Sequence, residues 1–125
     1  MIQPTNKVLI VDDESDVREI LKMTIEMENI ECITASSSVE GLERAAKENP
    51  NLILLDLLMP EMSGYGFLRE RNKIPELSEI PVVVLTSLGD EEIAKEAMNL
   101  GAVGYLVKTS TKNELISMIR EYART

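Results

Sequence analysis

The chain has 125 residues, 44% hydrophobic and 28% charged, which fits one folded soluble domain and excludes a disordered chain. Its net charge of −9, with no compact cluster of Lys and Arg, argues against nucleic-acid binding. No apolar run approaches the ~20 residues of a membrane span, Met1 to Val11 lacks a signal peptide's charged start and apolar centre, and the expected location is cytoplasmic.

The first strand is expected at Lys7–Val11, "KVLIV", followed by Asp12 and Asp13. A first helix is expected from about Glu14 to Glu28, with Val17, Leu21 and Ile25 inward. Asp13 and Asp16 are equally readable there as caps of that helix. Strand two, Glu31–Ala35, contains Cys32, the one cysteine, which excludes an internal disulfide and reads as a small buried hydrophobe. "SSVE", Ser37 to Glu40, is a capping-box pattern for a second helix that stops before Pro50. Strand three, Leu52–Leu55, is apolar throughout, as a strand buried on both faces should be, and runs directly into Asp56. A shorter third helix follows Gly64 and ends near Pro75. After strand four, Val82–Leu85, come Thr86 and Ser87, and a fourth helix that Asp90 can cap and Gly101 can end. Strand five, Val103–Val107, leads to Lys108, and the "TKNE" box from Thr111 to Glu114 opens a fifth helix.

Alternating strands and helices predict one α/β domain over residues 1–125, a (βα)5 doubly wound parallel sheet with right-handed crossovers. In such sheets ligands bind beyond the carboxyl ends of the strands. With the flavodoxin-like strand order 2-1-3-4-5, Asp12, Asp13, Asp56, Thr86 and Lys108 fall on one edge of the sheet. Asp56 then faces a polar cleft rather than the core. Close carboxylates repel one another, so some should have raised pKa values. An oxygen-only donor set, in a chain with no histidine, favours Mg²⁺. Asp56 becomes a candidate nucleophile for a phosphoryl group, with Lys108 and the Thr86 hydroxyl stabilising its oxygens. Each residue also has a bland explanation, as a cap, a turn or a strand end. Their agreement on one cleft is what singles them out.

The segments "VLIVDDE", "LILLDLLMPEMSG", "PVVVLTS" and "GAVGYLVK" resemble, in order and over almost the whole chain, the receiver domain of two-component response regulators, the CheY-like family. The resemblance implies that Asp12, Asp13, Asp56 and the backbone carbonyl of Leu58 hold Mg²⁺. It implies that Asp56 accepts a phosphoryl group from a sensor histidine kinase or phosphotransfer protein and that Lys108 contacts it. Thr86 and Tyr105 would form the switch pair, remodelling the surface of the fourth helix, fifth strand and fifth helix, where an output partner or a phosphorylation-dependent homodimer forms. The domain would catalyse its own phosphorylation from phosphohistidine and its slow autodephosphorylation. Receivers usually carry Pro after the lysine, where this chain has Thr109; a non-proline cis bond costs ~3 kcal/mol, so a trans peptide is expected.

Other α/β phosphate chemistries fit less well. A haloacid-dehalogenase-type phosphatase wants Asp or Thr where Leu58 stands, "DDESD" would repel a flavin phosphate, and a P-loop motif is absent. The remaining alternative is a receiver-like interaction module no longer regulated by phosphate. The sequence leaves no room for an effector after the fifth helix, so a stand-alone regulator or a receiver excised from a longer protein is expected.

Two finer expectations concern surfaces. Asp16, Ile20, Met23 and Met27 make a stripe on the first helix, readable as scattered exposed residues or as a docking site for the bundle that carries the donor histidine. Leu58 and Leu88 should rim the cleft, either covering the strands beneath or limiting access of hydrolytic water.

Overall fold

Every residue of the two central strands is buried, and alternate residues serve opposite faces of the sheet. The computed structural model describes residues 6–124, so residues 1–5, which were read for a leader, lie outside the described residues. The strands are β1 (Lys7–Val11), β2 (Glu31–Ala35), β3 (Leu52–Asp56), β4 (Val82–Thr86) and β5 (Gly104–Val107). All pairings are parallel, in the order β2-β1-β3-β4-β5, as the sequence predicts. On one face Leu9, Ile53, Leu55 and Val84 pack with Phe67 and Leu68; on the other Ile10, Leu52, Leu54 and Leu85 pack with Ile25, Leu115 and Ile119. Cys32 is buried on this second face, where burial pushes its thiol up to about 12 and leaves it an inert apolar side chain.

Among the described residues six helices surround the sheet: α1 (Ser15–Glu26), α2 (Ser38–Glu48), α3 (Gly64–Lys73), α4 (Pro75–Ser78), α5 (Glu91–Asn99) and α6 (Lys112–Tyr122). The unexpected one is α4. Pro75 does end α3, but a proline's missing N–H and fixed φ also suit a helix's first turn, and it starts a short new one.

Capping corrects the sequence reading in three places. Neither Asp13 nor Asp16 caps α1, whose N-cap is Glu14 with no side-chain bond. Asp90 occupies the N-cap of α5 but makes no capping bond. At α2, Ser37 Oγ accepts from Glu40 N, but the Glu40 carboxylate reaches back to Ser36 rather than to the cap residue. The box at Thr111 and Glu114 is complete. Gly101, at φ 110°, supplies the left-handed residue that follows α5. In α1 only Ile25 is buried, while Val17 and Leu21 are half-buried.

Candidate functional site

The carboxyl ends of β1, β3, β4 and β5 carry the polar residues that the apolar strands could not bury without partners. Asp56 and Thr86 are the last residues of β3 and β4, and Asp12 and Lys108 directly follow β1 and β5. Because all the strands run parallel, these ends lie on one edge of the sheet. Asp12 is fully buried, and Asp56 is 4% exposed. Asp56, Thr86, Lys108 and Glu14 line a cleft of about 220 Å³, and the fully buried Asp12 meets this group through Lys108. Asp56 therefore faces the cleft, as the sequence implies.

The loop after Asp56 is forced to turn tightly over it. Gly64 N donates to Leu57 O at 3.0 Å, and a Cβ at position 64 would stand 2.7 Å from the Asp56 carbonyl oxygen. Only glycine admits that approach. In the same loop Leu58 N donates to Asp56 Oδ1 at 3.2 Å. On the β1 side, Asp12 Oδ1 accepts from Glu14 N at 2.8 Å, and Arg18 Nη1 donates to Asp12 O at 2.7 Å. Each carboxylate is thus oriented by a backbone N–H on its Oδ1, and Arg18 fixes the Asp12 backbone carbonyl.

Lys108 is the electrostatic centre. Its Nζ donates to Glu14 Oε1 at 3.0 Å and forms ion pairs with Asp12 Oδ2 at 3.1 Å and Asp56 Oδ2 at 3.3 Å. Burial opposes the ammonium charge, but Glu14, Asp12 and Asp56 outweigh it and hold the Lys108 pKa above its ordinary value. The Asp56 pKa is raised to about 6, first by burial and second by the Asp12 charge, against the pull of Lys108 and the Leu58 N–H. The expected shift is present, but desolvation exceeds repulsion as its cause.

Buried beside the cleft, Thr86 Oγ1 has no hydrogen-bond partner, and Asp12 Oδ2 has only its ion pair with Lys108. Such groups are costly unless a further ligand completes them. Asp12, Asp13, Glu14 and Asp56 each offer a carboxylate oxygen within 4.8 Å of the others. A close all-oxygen set of this kind suits Mg²⁺, which takes few carboxylates and keeps waters.

Other predicted residues fall as follows. Tyr105 is half-buried and packs on the α5 face of the sheet; Val84 opposes it, and Thr86 opposes Val107, so Thr86 and Tyr105 share that face one residue pair apart. Asp16, Ile20, Met23 and Met27 are all exposed, with Met27 just past the end of α1. Leu58 lines the cleft and is 58% exposed, whereas Leu88 is 81% exposed and outside the cleft wall. The expected leucine pair is corrected to Leu58 alone. Leu88 precedes Gly89 in the turn that Asp90 N closes onto Ser87 O. No peptide bond among the described residues is cis, so Lys108–Thr109 is trans, as expected.

Glu14 is the functional candidate that the sequence reading left without a role. The available signal was the third acid of "DDE", but its partner Lys108 is 94 positions away.

Comparison with known proteins agrees with this geometry. The family model of the response regulator receiver domain matches residues 8–120. The probable transcriptional regulator ycf27 of Cyanophora paradoxa is 40% identical over 94% of this chain, and the transcriptional regulatory protein SrrA of Staphylococcus aureus is 37% identical over 96%. The chain spans about half the length of these curated relatives, 48% in each case. Among solved structures, chemotaxis protein CheY4 of Vibrio cholerae superposes with a TM-score of 0.88 at 28% identity, covering 95% of this chain and 99% of that one. A response regulator described as putative, from Chloroflexus aurantiacus, gives 0.90 at 28% identity, covering 95% and 98%. A parallel sheet in the order 2-1-3-4-5, an acidic cleft at its carboxyl edge and this match over most of the length lead to one conclusion: the chain belongs to the response regulator receiver domain family.

Proposed function

We propose that the domain is a phosphorylation-dependent switch in which Asp56 accepts the phosphoryl group. The observation that carries this reading is the company Asp56 keeps at the mouth of the sheet: a lysine ammonium 3.3 Å away and a buried Thr86 hydroxyl with no partner. A pKa of about 6 leaves Asp56 mostly ionised at pH 7, as a nucleophile must be. One of its oxygens attacks phosphorus in a phosphohistidine on a sensor histidine kinase or phosphotransfer protein. The P–O bond forms as the P–N bond breaks, and the imidazole nitrogen keeps the electron pair and takes up a proton. Lys108 and the Thr86 hydroxyl then meet the phosphoryl oxygens.

Asp12, Asp13, Asp56 and the carbonyl of Leu58 would hold Mg²⁺, which when bound supplies neutralising charge for the phosphoryl oxygens. Thr86 and Tyr105 are the proposed switch pair. A hydroxyl drawn toward the new phosphoryl group vacates space on the face that it shares with the half-buried Tyr105 ring. The altered surface, on α5, β5 and α6, would engage an output partner or a second copy in the phosphorylated state. A cytoplasmic setting belongs to the same reading. Relatives that are regulators of transcription support an output of that general kind.

The test is incubation with Mg²⁺ and acetyl phosphate, read by intact mass. One adduct of ~80 Da should form, and both chelation and Asp56→Asn should abolish it. An equally labelled Asp56→Asn protein would move the acceptor to Asp12 or Asp13. A wild-type protein that never labels would favour an interaction module that has lost phosphate control.

A further inference from the structure

We propose that Glu14 is a positioning residue that holds Lys108 in the resting state and sets how fast anionic phosphodonors load Asp56. This rests on the reading of Asp56 as phosphoacceptor. Of the three carboxylates around the ammonium, Asp12 and Asp56 are buried, and the Glu14 side chain is 61% exposed at the outer side. The Glu14 contact, at 3.0 Å, is the shortest of the three and accepts a hydrogen bond from Lys108 Nζ. It also lines the cleft, with a carboxylate oxygen within 4.8 Å of one on Asp56.

The side chain has no other task in the fold. Glu14 is the N-cap of α1, but through its backbone: its N–H donates to Asp12 Oδ1 and its carbonyl accepts from Arg18 N at 3.1 Å, while the side chain makes no capping bond. Glu14→Gln therefore removes a charge and keeps the shape and the helix start. Lys108 would still be held by Asp12 and Asp56 at 3.1 and 3.3 Å.

Two consequences act in the same direction. An incoming phosphoryl group brings negative charge to the place that Glu14 already makes negative. Lys108 must also turn from Glu14 toward the new phosphoryl oxygens, and a carboxylate resists that move more than an amide does. Glu14 thus restrains loading from small anionic donors, leaving a resting switch less prone to adventitious phosphorylation.

The experiment follows Asp56 phosphorylation by acetyl phosphate in wild-type and Glu14→Gln protein, at low and high ionic strength, by intact mass. Mg²⁺ is titrated separately by thermal shift without donor. Glu14→Gln should load roughly 3- to 10-fold faster at low salt, the scale of one unit charge about 5 Å away when solvent screens it almost as in bulk water. The gain should shrink at high salt, because an exposed charge is screened. The same charge would also act on a bound Mg²⁺, so the Mg²⁺ half-saturation point should rise by no more than a similar factor, and by less at high salt. Equal or slower loading would overturn the inference, and so would a salt-independent gain. A larger, salt-independent loss of Mg²⁺ affinity would also overturn it, making Glu14 a metal ligand instead. Failure of wild-type protein to label would overturn the phosphoacceptor reading and this inference together, whereas labelled wild-type with an unchanged variant rate overturns only the inference.

Discussion

Asp56 places a carboxylate where burial and the Asp12 charge both oppose its ionisation, so the resting site carries stored electrostatic cost. The folded pKa, about 6, lies above the ordinary value of 3.8, so the folded chain binds this proton more tightly than the unfolded chain. The stabilisation is fully present below about pH 4 and is lost as pH rises through 6, an order of 2–3 kcal/mol for two pKa units. In metal-free protein Asp56→Asn should therefore raise stability near pH 7.5 and leave it little changed near pH 4. Urea denaturation at both pH values measures this, and a variant less stable at pH 7.5 would show that the Lys108 pair outweighs the burial cost. Leu58 belongs to the same scale. It cannot orient a water and lines the cleft, so Leu58→Asn should speed loss of the Asp56 phosphate several-fold. Leu88→Glu, outside the cleft wall, should leave the half-life unchanged. Decay after donor removal, sampled in quenched aliquots, compares the two.

Among the elements, α1 joins the cleft to an open surface. It begins beside the acidic cluster, and Ile20 and Met23 stand exposed along it, with Met27 at its end. If the helical bundle carrying the donor histidine docks there, a charge at Ile20 and Met23 should slow transfer from the kinase at least tenfold, since two buried apolar contacts would be lost. Loading from acetyl phosphate, which needs no docking, should be unchanged; a parallel loss of both reactions would instead point to damage of the fold. The strands were legible because each has a short β-branched or aliphatic centre, and the cleft was legible because polar residues follow the carboxyl ends of four of them. What stayed hidden is contextual. A proline that stops α3 also starts α4, and nothing local separates those uses. Asp90 has a cap's identity and position, yet φ −103° and ψ 21° leave its side chain without a capping bond. Glu14 looked like one more acid on a helix start until β1 and β5 fixed its distance to Lys108.

For the molecule as a whole, the two apolar layers are satisfied independently of the cleft, whereas the cleft leaves Thr86 Oγ1 unpartnered and gathers four carboxylates within 4.8 Å of one another. Stability should therefore be coupled to what fills the cleft. A net charge of −9 attracts any cation to the surface, so a general salt effect must be separated from a specific one. A ligand that binds only the folded chain stabilises it by RT ln(1 + [L]/Kd), about 1.4 kcal/mol at a tenfold excess over Kd. For a domain of this size that corresponds to a rise of roughly 4–6 °C in Tm. Mg²⁺ should produce a saturable rise relative to EDTA, and NaCl at matched ionic strength should produce little. Asp13→Asn removes a carboxylate that is exposed and makes no side-chain bond in the fold, so it should weaken the Mg²⁺ response while barely changing the metal-free Tm. Differential scanning calorimetry of both proteins with each salt makes the comparison. If NaCl matched Mg²⁺, or if Asp13→Asn kept the full rise, the acidic cluster would be responding as a diffuse surface charge and not as a metal site.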